Sequence, residues 1–438
     1  MQMDEEIELK INRTLKEVFG FNSFRAGQKE IIINLVKKKD VLAIMPTGSG
    51  KSICYYVPAL INEGITLVIS PLIALMQDQV NFLNSKGIKA KQINSCLAKG
   101  VRKKIILDVL NSNCKILYIA PERLINENFF SYLNAIKISM VVIDEAHCIT
   151  AWGHDFRPAY VKMCEYLKLL PKRPVIACFT ATATKNVREE IINLVELKNP
   201  FCFIGKFDRS NLFLDVFYVK ERHKILKLLN FLKDIKNENI IIYCATRQKV
   251  ENIYKILFDK GYLVSKYHAG LKLILRKRNQ EYFLNGTKNI LVATNAFGMG
   301  VDKKDIRYII HFNMPKNLEN YYQEVGRAGR DGKPSKCVMF YSDYDFKLNS
   351  FFIEQNNNKE LTKKQLKNVK LKGYEGLKKI IEYCEEKGCY RKNVLKYFGE
   401  KNIFCNNCGN CLKLKGGRLI ISYFSKILKF FKRGRNIK

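Results

Sequence analysis

Short β-branched runs alternate with longer amphipathic stretches from about residue 40 to about residue 340. In the first half of that span the strand candidates are VLAIM (41–45), ITLVIS (65–70), KILYIA (115–120), MVVID (140–144) and PVIACFT (174–180). In the second half they are NIIIYC (239–244), NILVAT (289–294), IRYIIHF (306–312) and KCVMFY (336–341). A strand covered on both faces has no polar side to alternate with. Continuous apolar runs separated by helical patterns therefore indicate parallel sheets flanked by helices. The rhythm pauses near 200–212, within KNPFCFIGKFDRSN, which predicts a hinge between two α/β lobes, 1–205 and 206–343. After Tyr344 the pattern changes. Residues 355–372 are rich in Lys, Asn and Gln, cysteines cluster toward the end of 344–412, and 413–438 form a basic tail.

Charge narrows the partner. Lys and Arg number 76 against 41 Asp and Glu, a formal charge of +35 over 438 residues. Such an excess favours a polyanion, because neutralising phosphates releases counterions and dominates nucleic-acid affinity. The Lys-, Ile- and Asn-rich composition of the whole chain accounts for a share of it. The start, MQMDEEIELK, is acidic and does not resemble a secretory signal, and no stretch offers the ~20 apolar residues that span a bilayer. Fourteen cysteines in such a chain suggest reduced thiols or a metal site rather than a disulfide framework. The expectation is an intracellular protein with no membrane partner. In the tail Ile420, Phe424, Ile427, Leu428 and Phe431 form a helical stripe, with Lys426, Lys429, Lys432 and Arg433 outside it. That stripe suits packing on the cysteine module or basic contact with nucleic acid.

Two segments carry phosphate chemistry. MPTGSGKS (45–52) follows a strand and precedes an apolar helical run, the context a phosphate-binding loop requires. Gly48 and Gly50 let backbone N–H groups face phosphate oxygens, with Thr47 and Ser49 between and before them. Lys51 would neutralise the β- and γ-phosphates, and the Ser52 hydroxyl would ligate Mg²⁺. MVVIDEAH (140–147) ends a buried strand in Asp144, at the sheet edge where nucleotides bind in such folds. Asp144 would hold Mg²⁺, and Glu145 would orient and deprotonate an attacking water. Farther on, CNNCGNC gives Cys405, Cys408 and Cys411, with Cys384 and Cys389 upstream. Four thiolates at such spacing suit tetrahedral zinc, and an iron–sulfur cluster also uses four.

The order of further motifs resembles the RecQ family of DNA helicases over about residues 12–412. FGFNSFRAGQ (19–28), MPTGSGKS, SPLIALMQDQ (70–79), APERL (120–124) and DEAH (144–147) come first. AWGHDFRP (151–158), FTATAT (179–184), IIYCATR (241–247), YHAG (267–270), VATNAFGMGVDKKDIR (292–307) and YYQEVGRAGRDG (321–332) follow. The resemblance implies two RecA-like lobes followed by a small helical zinc-binding subdomain. By that match Phe21 stacks on adenine while Arg25 and Gln28 hydrogen-bond to it, and Gln323 joins the nucleotide site. Trp152, His154, Phe156 and Arg157 belong to an aromatic-rich DNA-contacting loop, and base stacking there would be worth ~1–3 kcal/mol per base. His147, Thr180 and Thr182 would couple hydrolysis to movement. Arg327 and Arg330, three apart and so able to point the same way from one helix turn, would serve as arginine fingers on the γ-phosphate. CYRKNVLKYFGE (389–400) favours Cys389 over Cys384 as the fourth ligand beside Cys405, Cys408 and Cys411.

The implied cofactors are ATP, Mg²⁺ and Zn²⁺, and the implied partners are single-stranded and forked or duplex DNA, engaged by a monomer. Only 26 residues follow Leu412, so the expectation is a short form without the winged-helix and later modules of many relatives. Three rival readings share these features. They are an RNA helicase, a zinc-dependent DNA-binding or annealing protein whose ATPase acts as a clamp, and a P-loop kinase. The aromatic-rich loop and the cysteines argue against the first, and the paired arginines against the last.

Overall fold

Thirteen strands form among the described residues: β1 Val41–Ile44, β2 Ile65–Ile69, β3 Ala90–Ile93, β4 Ile116–Ile119, β5 Ile138–Asp144, β6 Val175–Thr180, β7 Phe201–Ile204, β8 Leu212–Tyr218, β9 Asn239–Tyr243, β10 Val264–Tyr267, β11 Ile290–Ala293, β12 Ile306–His311 and β13 Ser335–Tyr341. The computed structural model describes residues 2–46, 48–94, 97–125, 127–150, 157–235, 237–298, 303–356, 361–400 and 405–414. Each of the nine expected apolar runs is a strand. They build two sheets, ordered β3-β4-β2-β5-β6-β1-β7 and β10-β11-β9-β12-β13-β8. Every pairing in both is parallel. Parallel strands need crossovers, and the amphipathic stretches between them supply helices such as Lys51–Ile61 and Arg247–Asp259.

The chain divides into two compact units, one built on Met1–Lys206 and one beginning at Phe207. In the first, β1, β2 and β4 are buried at every position, and Tyr55, Tyr56, Val68, Met140 and Phe179 pack in one cluster over the sheet. Each such side chain taken fully from water is worth about 1.5–3 kcal/mol. At the opposite end of the strands Asp40 fixes the register. It is 3% exposed and accepts bonds from Arg173 Nη1 (3.1 Å) and Nη2 (2.5 Å), the Ile176 N–H (2.9 Å) and the Lys198 N–H (2.7 Å). One carboxylate thus pins the starts of β1, β6 and β7.

The second unit has its own core of Ile240, Ile242, Val292, Ile310, Phe312 and Phe340. Lys224, fully buried, pairs with the equally buried Asp345 at 2.6 Å. Asp345 also accepts bonds from Asn313 Nδ2 (3.0 Å) and the Ser342 hydroxyl (2.9 Å). The segment that separates the two sheets is shorter than the 200–212 expected for a hinge. Phe201–Ile204 pairs with β1 as an edge strand, so only 205–211 separates the sheets. The physical reason is that β7 alternates half-buried and exposed residues and lacks the continuous apolar run used to recognise strands. No helix among the described residues is long and apolar enough to cross a membrane.

Candidate nucleotide site, arginine turn and cysteine cluster

Strands β5, β6 and β1 are neighbours in the first sheet, with Asp144 opposite Phe179 and Thr180 opposite Ile44. Their C-terminal ends therefore place the glycine-rich loop, the Asp144–Glu145 pair and Thr180 side by side, at an edge of the kind where α/β sheets bind ligands. Gly48 and Gly50 adopt φ of 85° and 81°, a region open to glycine at little cost. Gln28 braces the loop from behind. Its Nε2 donates to the Ser49 and Gly50 carbonyls at 3.0 Å each, and its Oε1 accepts the Arg25 N–H at 2.9 Å. Arg25 Nη1 donates to the Gly48 carbonyl at 2.7 Å. Both side chains expected to meet a base thus hold the loop as well. Phe21 is 49% exposed.

Lys51 begins the helix after the loop, next to Ser52. Its Nζ lies 3.7 Å from Glu145 Oε1. Glu145 has φ of 50°, a left-handed conformation that costs a residue with a Cβ about 1–3 kcal/mol and tends to be kept where function demands it. Asp144 Oδ1 accepts the Glu145 N–H at 3.0 Å, and the Asp144 carbonyl accepts the Tyr160 hydroxyl at 3.2 Å. Burial, and next the neighbouring Glu145 charge, push the Asp144 carboxyl up from 3.8 to about 6. A buried carboxylate beside a second one, both at a sheet edge, is the oxygen donor set a divalent cation would relieve. One nitrogen of the buried His147 ring, Nδ1, hydrogen-bonds Thr180 Oγ1 at 2.8 Å and lies 3.3 Å from Glu145 Oε2. Thr180 Oγ1 in turn accepts the Thr182 N–H at 3.3 Å. A polar chain therefore runs from Lys51 through Glu145 and His147 to the end of β6.

Arg157 donates its N–H to the Cys148 carbonyl (3.0 Å) and Nη1 to the Pro71 carbonyl (3.3 Å). Trp152, His154 and Phe156 of the same loop lie outside the described residues, as do Thr47 and the tail stripe beyond Leu414.

In the second unit Gln323 is buried in helix Leu318–Val325. The expected single helix turn for Arg327 and Arg330 is corrected, because that helix ends at Val325 and both arginines sit in the turns that follow. Glycine explains it. Gly329 takes φ of 53°, and a Cβ there would crowd Asn211, Ser335 and the Lys333 carbonyl. Arg327 is 4% exposed and donates Nη1 to the Gly298 carbonyl, whereas Arg330 is half-buried. Gly298, with φ of 143°, is a residue that sequence reasoning passed over, although it lies inside the quoted run 292–307.

Cys389, Cys405, Cys408 and Cys411 come together, with all four Sγ atoms within 4.8 Å of one another. Separations of 3.0 Å (Cys389–Cys405), 3.6 Å (Cys405–Cys411) and 3.9 Å (Cys408–Cys389) bracket the roughly 3.8 Å edge of a tetrahedron with ~2.3 Å metal–sulfur bonds. Hydrogen bonding from Cys405 draws the Cys408 thiol below its ordinary value. The four donors fit a closed zinc site. Cys384 is elsewhere, buried with its Sγ 3.5 Å from Met339 Sδ.

Comparison with known proteins agrees with this layout. Residues 25–190 match the DEAD/DEAH box helicase model, 223–332 the helicase conserved C-terminal domain and 343–412 the RecQ zinc-binding model. The chain is 40% identical over 401 residues to the ATP-dependent DNA helicase RecQ of Haemophilus influenzae, covering 91% of this chain and 63% of that protein. It is 41% identical over 399 residues to the ATP-dependent DNA helicase RecQ of Bacillus subtilis, covering 91% and 66%. It thus spans about two thirds of the length of these relatives. Among solved structures, Saccharomyces cerevisiae Dbp5 bound to RNA and ADP BeF3 superposes with a TM-score of 0.62 at 18% identity, over 83% of this chain and 97% of that one. That likeness concerns the fold of two RecA-like parallel-sheet lobes. With both helicase models and the zinc-binding model aligned in series, and two-fifths identity across nine-tenths of its length, the chain belongs to the RecQ family of helicases.

Proposed function

We propose that this chain is an ATP-driven motor that travels 3′ to 5′ on single-stranded DNA and separates duplex DNA in recombination or repair. One observation carries the reading: Lys51 stands 3.7 Å from Glu145 at the mouth of a glycine loop, in a chain that also holds four clustered cysteines. Lys51 and the loop N–H groups take the β- and γ-phosphates. Ser52 and Asp144 hold magnesium, which, when bound, neutralises charge developing on the phosphates. Glu145 accepts a proton from the attacking water, and His147 keeps Glu145 oriented while reporting its state to Thr180 and Thr182 through the hydrogen bonds described above. Phe21, Arg25 and Gln28 select adenine. Arg330, the more exposed of the two arginines, stabilises the γ-phosphate in the transition state, and Arg327 with Gln323 sets its turn. Cys389, Cys405, Cys408 and Cys411 hold zinc, whose binding adds folding free energy to the module. Trp152, His154, Phe156 and Arg157 contact DNA bases and backbone.

The test is unwinding of forked duplexes of both polarities, with ATP and with a non-hydrolysable analogue, beside ATPase stimulation by single-stranded DNA and RNA. The expected result is ATP-dependent unwinding from a 3′ tail, stimulation mainly by DNA, and loss of both on Lys51→Ala. DNA-stimulated hydrolysis without unwinding would leave the clamp or annealing reading instead. Normal hydrolysis by Lys51→Ala would refute the site.

A further inference from the structure

The segment that opens the second unit, Phe207–Leu212, is gripped from two sides. On one side stand residues next to the cysteine ligands. Arg391, two positions after Cys389 and 5% exposed, donates Nη1 to Asp208 Oδ1 (2.7 Å) and the Arg209 carbonyl (2.6 Å). Its Nη2 donates to the Ser210 carbonyl (3.4 Å) and to the Leu212 carbonyl. Asn407, between Cys405 and Cys408, donates Nδ2 to the Ser210 carbonyl at 3.2 Å. The Phe207 ring stacks on Phe398 with centroids 4.7 Å apart and planes 7° from parallel, and the Phe207 N–H donates to Glu400.

On the other side stands the arginine turn. Arg209 Nη1 donates to the Gly326 carbonyl (3.3 Å), and Nη2 donates to those of Ala328 (2.9 Å) and Gly329 (3.0 Å). These carbonyls flank Arg327 and precede Arg330. Asn211 Nδ2 adds bonds to the Gly329 (2.9 Å) and Lys333 (3.0 Å) carbonyls, and the Tyr322 hydroxyl donates to the Phe207 carbonyl at 2.6 Å. A planar guanidinium with five fixed donors suits such a set of convergent carbonyls better than an ammonium does.

We propose that Phe207–Leu212 is a splint through which the cysteine module sets the position of the Arg327–Arg330 turn, with Arg209 as the positioning residue. The inference rests on the reading that Arg330, carried on that turn, stabilises the transition state of hydrolysis. It gives the cysteine module a part in turnover that is separate from DNA contact. Arg209 touches no nucleotide in this scheme, so its loss lowers kcat and leaves ATP binding.

The experiment is a double-mutant cycle on the full chain, with Arg209→Ala, Arg330→Ala and both together, measured at saturating single-stranded DNA. Nucleotide affinity, melting temperature and zinc content are followed in parallel. Arg209→Ala is expected to lower kcat about 10²-fold, the scale of a ~1 Å misplacement. KM for ATP and zinc content should stay within about twofold, since only a transition-state contact is lost. In the Arg330→Ala background the same substitution should cost nothing more. Where Arg209→Ala does not fold, Arg209→Lys, which keeps the charge but not the fork, is read the same way. A folded Arg209 variant with parental kcat, or losses that multiply across the cycle, overturns the splint. Parental hydrolysis by Arg330→Ala overturns the arginine reading itself and the splint with it, so the two failures are distinguishable.

Discussion

Replacing Gly298 by alanine puts a methyl group where the Arg327 guanidinium already lies. An ideal Cβ on Gly298 would stand less than 3.0 Å from Arg327 Cζ, Nε and Nη2, and the backbone there has φ of 143°. Holding a residue with a Cβ in that region costs about 1–3 kcal/mol, which lowers the melting temperature by roughly 3–10 °C for a unit of this size. The larger effect is on turnover. Arg327 must leave the Gly298 carbonyl and draw its turn with it, and under the proposed role of Arg330 a shift of ~1 Å there costs about 10²-fold in rate. Lys51 and its loop belong to the other unit, so KM for ATP should hold within about twofold. Steady-state hydrolysis with saturating DNA, beside a thermal melt, reads both quantities. A melting temperature lowered as calculated with parental kcat would refute the claim that Arg327's seat on Gly298 governs catalysis.

Three other outcomes are expected. The Asp144 carboxyl is raised from 3.8 to about 6 by burial and by Glu145, so it favours the neutral form when folded. The stability this gives is full below pH 4 and lost as pH climbs through 6. Asp144→Asn should therefore stabilise the metal-free protein above pH 6 by up to about 3 kcal/mol, and equal melts at pH 7.5 would contradict it. Cys389→Ser should abolish stoichiometric zinc and Cys384→Ser should keep it, as measured by chelator release of the metal; the opposite pattern would exclude Cys389 as the fourth ligand. Asp40→Ala leaves the Ile176 and Lys198 N–H groups without their acceptor and should cost about 3 kcal/mol in denaturant unfolding, without changing nucleotide affinity in the protein that remains folded.

The sequence located nine strands and missed four, and the four share one property. β3, β7, β10 and β8 are the two edges of each sheet. An edge strand pairs on one side only and carries polar residues that interior strands lack. AKQI and VSKY in β3 and β10 show this directly, so a search for continuous apolar runs passes over them. The phosphate loop and the acid pair were legible because each is local, a few residues at a strand end. The bracing of the loop by Gln28 and the contacts of Gly298 and Arg209 were not, since each joins a side chain to a carbonyl distant in the chain. The arginine turn was misjudged because helical spacing was extended through Gly326 and Gly329. Lys224 would be read as a surface lysine on composition alone, yet it is wholly buried against Asp345, a partner contributed from much farther along the sequence.

The neighbours of β1 have a consequence for how the protein is made. β1 lies between β6 and β7, pairing Val41 with Ala177 on one flank and with Phe201 on the other. Both partners are translated long after it. A nascent chain emerges from its N-terminus at about 5–20 residues per second, so β1 waits on the order of ten seconds beyond the ribosome with neither flank covered. During that interval it is an unpaired apolar edge of the kind chaperones shield. The loop that would hold ATP cannot take its final form until residue 204 is free of the exit tunnel, which makes that loop a late product of biosynthesis.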